Sequence, residues 1–87
     1  MNNISFKLNF HGKNQNCNYS GQEIVEKVLL SILKSIGLYE TVDPTVYSFT
    51  MGVRILNKVP HVKKMLKDVI RNNVTIKLIS KKDMDYS

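Results

Sequence analysis

Four apolar residues spaced two apart, Ile4, Phe6, Leu8 and Phe10, alternate with Ser5, Lys7, Asn9 and His11. Successive side chains of a strand point to opposite faces, so this stretch, Asn3 to His11, reads as a strand with one dry face and one wet face. That pattern excludes a strand buried on both sides. It calls for an amphipathic layer to cover one face of a sheet and leaves the other face to water or to a partner.

The covering layer is legible further along. Val25, Val28, Leu29, Ile32, Leu33 and Ile36 recur at helical spacing, with Glu23, Lys27, Ser31, Lys34 and Ser35 largely on the other side. Ser20 followed by Glu23 has the spacing of a capping box, and Tyr19 with Ile24 that of a hydrophobic staple. Gly37 is placed to end the helix in a left-handed conformation, with Leu38 folding back on the last turn. Gly12 to Tyr19 reads as a polar loop.

Val46 to Val53 supports two readings. As a strand it turns Tyr47, Phe49, Met51 and Val53 inward and Ser48 and Thr50 outward. As a helix it would be capped by Asp43, with Pro44 at its first position. The β-branched and aromatic residues and Gly52 favour the strand. Pro60 then opens a second helix with Val62, Met65, Leu66, Val69 and Ile70 as its buried stripe, and Asn72 and Asn73 supply its left-handed exit. Val74 to Lys81 is the last strand, with Val74, Ile76 and Leu78 inward and Thr75, Lys77 and Lys81 outward.

The expected fold class is therefore α+β, a small two-layer sandwich in β-α-β-α-β order. Helices lie on one face of a three-stranded sheet whose middle strand is open to the helical reading. Residues 1–82 form a single domain and 83–87 a flexible acidic tail. At 87 residues the chain has room for one core, of modest stability unless it forms a homodimer.

Charge is unevenly distributed. The net charge is +6, yet residues 1–52 hold four lysines against four acids. Residues 53–82 hold nine basic residues against Asp68 alone. Lys64, Lys67 and Arg71, three and four apart, would line one flank of the second helix, with Lys63 beside them and Arg54 and Lys58 leading in. Lys77 and Lys81 join from the last strand. Such a row can neutralise successive phosphates of a nucleic-acid backbone. In outline the strand–helix order is similar to that of small basic nucleic-acid binders such as the Alba family, a likeness of order and not of any motif.

These features lead to an expected function. The chain is a small basic binding protein that contacts nucleic acid, RNA above all, through Arg54, Lys58, Lys63, Lys64, Lys67, Arg71, Lys77 and Lys81. The alternative is a phage-type inhibitor or antitoxin that neutralises a host nuclease or another acidic or nucleic-acid-binding protein. Nine asparagines with many lysines and isoleucines, the composition of an AT-rich genome, point the same way.

Catalysis is not expected. His11 and His61 have no second ligand at a recognisable spacing, and Cys17, the only cysteine, has no family signature around it. Glycine loops for phosphate are missing, Asp83 and Asp85 lack the rest of a calcium loop, and no metal or cofactor is implied. The longest apolar stretch, Ile24 to Leu38, is interrupted by Glu26, Lys27 and Lys34 and is too short to span a bilayer. A cytoplasmic location with no membrane partner follows, consistent with a single free thiol.

Overall fold

The computed structural model describes residues 3–81. The acidic tail expected at 83–87, with the domain boundary at 82, lies outside the described residues. Five strands form one sheet: β1 (Asn3–Phe10), β2 (Lys13–Ser20), β3 (Tyr47–Met51), β4 (Arg54–Ile55) and β5 (Thr75–Ser80). Their order is β2-β1-β5-β3-β4. β1 and β5 run parallel at the centre, and the other neighbours are antiparallel. On one face lie the helix α1 (Val25–Ser35) and the short helix α2 (Leu66–Val69). A single 3-10 turn at His61–Lys63 precedes α2. The fold is α+β with helices on one face, as expected, but the sheet has five strands rather than three.

β2 was hidden by its composition. Asparagine is depleted in strands, and GKNQNCNY has the look of a loop. Yet β2 pairs with β1 along its whole length, from Asn3 with Ser20 to Phe10 with Lys13. The connection is only His11 and Gly12, with φ of 54° and 78°. Two successive left-handed residues match the right-handed twist of the flanking strands, as in a type I′ hairpin turn. The usable signal was this two-residue turn together with the alternation of Gln15, Cys17 and Tyr19 with Asn14, Asn16 and Asn18. Cys17 is buried opposite Phe6, and Tyr19 stacks on Phe6 with ring centroids 6.1 Å apart.

The stripe of α1 is buried as its spacing predicts: Val25, Val28, Leu29, Ile32 and Leu33. Its exit is a Schellman motif. The Leu38 N–H donates to Leu33 O at 2.9 Å and the Gly37 N–H to Lys34 O at 3.2 Å, with Gly37 at φ 77°. The start differs from the expected capping box. Ser20 ends β2, its hydroxyl accepts from the Gln22 N–H, and α1 begins at Val25 without a side-chain cap. The intervening backbone is occupied elsewhere. Val25 N–H donates to Lys64 O, Leu66 N–H to Glu23 O and Lys67 N–H to Gly21 O, at 2.8 to 2.9 Å.

The same ladder breaks the second helix. Lys64 and Met65 are extended so that Met65 can bridge Ile24, which leaves a 3-10 turn and four residues of α-helix. Val62, Leu66, Val69 and Ile70 are buried as expected, whereas Met65 is exposed. Val46–Val53 resolves in favour of the strand. Asp43 serves a single turn leading into β3: its carbonyl accepts from Val46 and Tyr47, and its carboxylate from the Thr45 N–H and hydroxyl. These two bonds hold the Asp43 carboxyl below its ordinary pKa. Val53, expected to face inward, is fully exposed in the β3–β4 turn after Gly52.

Asn57 closes this half of the sheet. Its Oδ1 accepts from the Phe49 N–H at 3.2 Å, and its Nδ2 donates to Tyr47 O at 2.9 Å and Val42 O at 3.0 Å. Being 3% exposed, it serves buried main-chain groups of Phe49 and Tyr47 and a partly buried one of Val42. Asn57→Ala would leave them unpaired, and loss of about 2–4 kcal/mol is expected in urea unfolding. A loss under about 0.5 kcal/mol would show that these groups find other partners. Gly37→Ala, which forces a side chain into the left-handed region, is expected to cost about 1 kcal/mol by the same measurement.

Candidate functional site

Because β1 and β5 alternate buried and exposed residues in step, their outward side chains make one open face. Lys7 of β1 lies beside Thr75 of β5 and Asn9 beside Lys77, with Ser5 before them on β1; Ser5, Lys7, Thr75 and Lys77 are exposed. β2 extends this face with Asn14, Asn16 and Asn18, opposite Asn9, Lys7 and Ser5 respectively. Two cross-strand bonds fix its amides: Asn9 Nδ2 donates to Asn14 Oδ1 at 2.9 Å, and Asn18 Nδ2 donates to Ser5 Oγ at 2.7 Å. A shallow depression of about 490 Å³ lies here, lined by residues including Lys7, Asn16, Asn18, Asn73 and Thr75. A second, of about 480 Å³, lies along Asn9, Gly12 and Lys77 to Ser80. The surface is wide, uncharged for much of its area and rich in amides.

The basic residues expected to form one row are divided among several elements. Arg54 stands on the short edge strand β4, and Lys58 follows it in the connection. Lys63 ends the 3-10 turn, Lys64 is extended, Lys67 is in α2, and Arg71 lies beyond the extended Ile70. Only Lys67 of the trio Lys64, Lys67 and Arg71 is helical, so the three do not line one flank of a helix. The 3-10 turn and α2 pack against α1, on the helical side of the sheet. Lys77 stands on the opposite, open side. Lys81 follows β5, partly buried, with its N–H donating to Val46 O at 2.8 Å. The connection that carries most of these charges is shaped by its backbone ladder to α1, which charge spacing alone could not reveal.

Groups with nucleophilic or acid–base chemistry do not converge. Cys17 is buried, and desolvation pushes its thiol pKa up, which keeps it in the unreactive neutral form. Its Sγ lies 3.9 Å from Gln15 O, a weak contact. His11 is in the β1–β2 turn, tilted against the Phe10 ring with centroids 4.1 Å apart, while His61 opens the 3-10 turn. Among the described residues no three His, Cys, Asp or Glu side chains gather where they could hold a metal ion. No helix among them is long and apolar enough to cross a membrane.

No protein-family model matches the chain, and no curated protein matches it in sequence. Solved structures do match in fold. The ubiquitin-like domain of an Arabidopsis thaliana protein superposes with a TM-score of 0.72 at 13% identity, covering 93% of this chain and 80% of that one. Ubiquitin of Caldiarchaeum subterraneum gives 0.69 at 16% identity, over 91% and 94% of the two chains. A chain of the pParkin–pUb–UbcH7 complex gives 0.70 at 12% identity, and here 90% of this chain covers only 23% of the matched one.

These neighbours correct the expected function. The RNA-backbone binder was read from charge along a helix that is only four residues long, and the phage-type inhibitor or antitoxin from composition and the lack of a catalytic set. The similar structures are ubiquitin and ubiquitin-like domains, not the nucleic-acid binders whose strand–helix order the sequence suggested. With a mixed five-stranded sheet in the order β2-β1-β5-β3-β4 and one long helix across it, this chain has the ubiquitin-like fold.

Proposed function

We propose that the chain is a non-catalytic protein-interaction domain that binds other proteins through the outer surface of its ubiquitin-like fold. One observation carries the reading. The chain superposes on a ubiquitin over 91% of its length, while the face opposite the helices is broad, shallow and hydrogen-bonding rather than a deep pocket. Small-molecule sites are usually enclosed and largely apolar, whereas surfaces of this kind suit a macromolecular partner. One of the similar chains belongs to the pParkin–pUb–UbcH7 complex, an assembly of proteins.

The neutral buried thiol and the separated histidines support a role without covalent or acid–base chemistry. Lys7 and Lys77, on neighbouring strands of the open face, give a partner with exposed carboxylates an electrostatic preference.

A photo-crosslinking residue at Lys77 tests this reading in the cells that make the chain. Crosslinks to foreign proteins are expected, suppressed by excess unlabelled chain and absent with Phe49→Asp, which destroys the core around a residue of 0% exposure. If excess folded chain competes with no foreign protein, or if the purified chain turns over a substrate, the proposal fails.

A further inference from the structure

We infer that β2 is a self-association edge, pairing antiparallel with β2 of a second copy of this chain about a two-fold axis at Asn16. The inference goes beyond the binding of foreign proteins, and the two tests fail separately, since this one uses the purified chain alone.

β2 closes one end of the sheet. It offers eight residues, about 27 Å of strand, without proline and with an unbroken register to β1. Natural edges are commonly blunted by charge, proline, a bulge or brevity. The opposite edge, β4, is blunted by brevity at two residues. On β2 the only charged residue is Lys13, at its end.

The direction of the free main-chain groups follows from β1. Ser5 N–H donates to Asn72 Oδ1, Ser5 O accepts from Asn73 N–H, and Lys7 N–H donates to Val74 O, so the odd residues of β1 turn toward β5. Its even residues Ile4, Phe6, Leu8 and Phe10 therefore turn toward β2, where they face Tyr19, Cys17, Gln15 and Lys13. By alternation the N–H and C=O groups of Asn14, Asn16 and Asn18 point outward from the sheet.

The side chains of the same asparagines specify the occupant. Asn14 uses its Oδ1 to accept from Asn9 and keeps its amide N–H groups unspent. Asn18 uses its Nδ2 to donate to Ser5 and keeps its Oδ1 unspent. Antiparallel pairing about Asn16 sets Asn14 of each copy opposite Asn18 of the other, so an unspent donor meets an unspent acceptor on both sides of the axis. Asn16, whose side chain has no hydrogen-bond partner among the described residues, meets its own copy, and an amide is self-complementary. Lys13 falls opposite Tyr19, so like charges do not meet across the edge.

Each copy carries a net charge of +6, which opposes association at long range. Salt screens that repulsion over about 10 Å at 0.1 M, while it leaves amide pairing intact. The dimer therefore tightens as salt rises, whereas an acidic peptide added to the same edge would bind more weakly.

Sedimentation velocity of the purified chain from about 10 μM to about 1 mM, at 0.05 and 0.5 M NaCl, reads this directly; the range covers the weak affinities expected of a small strand-edge interface. A monomer–dimer equilibrium that tightens with salt is expected. Asn16→Lys and Asn16→Glu, each with like charges opposed at the axis, should weaken it by about fivefold or more, and an equimolar mixture of the two should restore it as a heterodimer. Both substitutions fall on an exposed side chain, and circular dichroism and the melting temperature report whether each variant keeps the fold. The inference is overturned by a monomer throughout the range, by association that weakens with salt, or by folded variants that associate like the parent chain or fail to recover on mixing.

Discussion

The parallel contact between β1 and β5 sets the terms for everything else. It joins Lys7–Phe10 to Thr75–Leu78, from nearly opposite ends of the chain. A parallel pair cannot close with a hairpin and needs a crossover that returns over the sheet. Here the connection runs through β2, α1, β3, β4 and α2, and its helices are the part that lies over the sheet. Since Leu8, Ile76 and Leu78 must be buried while Lys7, Thr75 and Lys77 stay wet, the crossing layer lies on one face only. Asn72 and Asn73 anchor the arrangement just before β5, through the Asn72 Oδ1 and Asn73 N–H bonds to Ser5. Asn73 adopts φ 69°, a left-handed conformation that asparagine tolerates better than most residues.

Periodicity revealed those elements whose buried side chains are consecutive in the pattern. β1, the stripe of α1, its Gly37 exit and β5 all lie close to where alternation or helical spacing puts them. The sequence was less informative where backbone partners come from far away. Residues 62–70 carry a helical stripe, and Val62, Leu66, Val69 and Ile70 are buried, yet the ladder from Glu23 and Val25 holds Lys64 and Met65 extended. Burial was legible there; conformation was not. β2 posed the opposite problem. Its residue types resemble a loop, and only its pairing with β1 makes Asn14 to Asn18 a strand.

That distinction explains why the charge reading failed. A row of lysines is meaningful only if the backbone beneath it is regular. With the helix reduced to Leu66–Val69, spacings of three and four no longer translate into a common flank. Net charge survives such an error, because it does not depend on conformation, but its use as a surface does not. Part of the open face was nevertheless visible in the sequence, since Lys7, Thr75 and Lys77 alternate with buried neighbours. What was missing was its extension across β2, which turns a narrow strip into an asparagine-rich platform.

The platform and the edge have the same cause. β2 has to bury Cys17 and pack Tyr19 while its other face stays in water, and asparagine meets the second demand without adding charge. Lysine on those positions would also be wet and would repel an approaching strand; asparagine instead leaves the row of outward main-chain groups undefended. Its hydrogen bonds with Asn9 and Ser5 leave different ends of Asn14 and Asn18 unspent, so the edge acquires a direction. A parallel strand of the same sequence would bring like ends together, whereas an antiparallel one joins donor to acceptor. Choosing uncharged polar residues for a solvated strand thus fixes both the chemistry of the open face and the orientation of the strand that can join it.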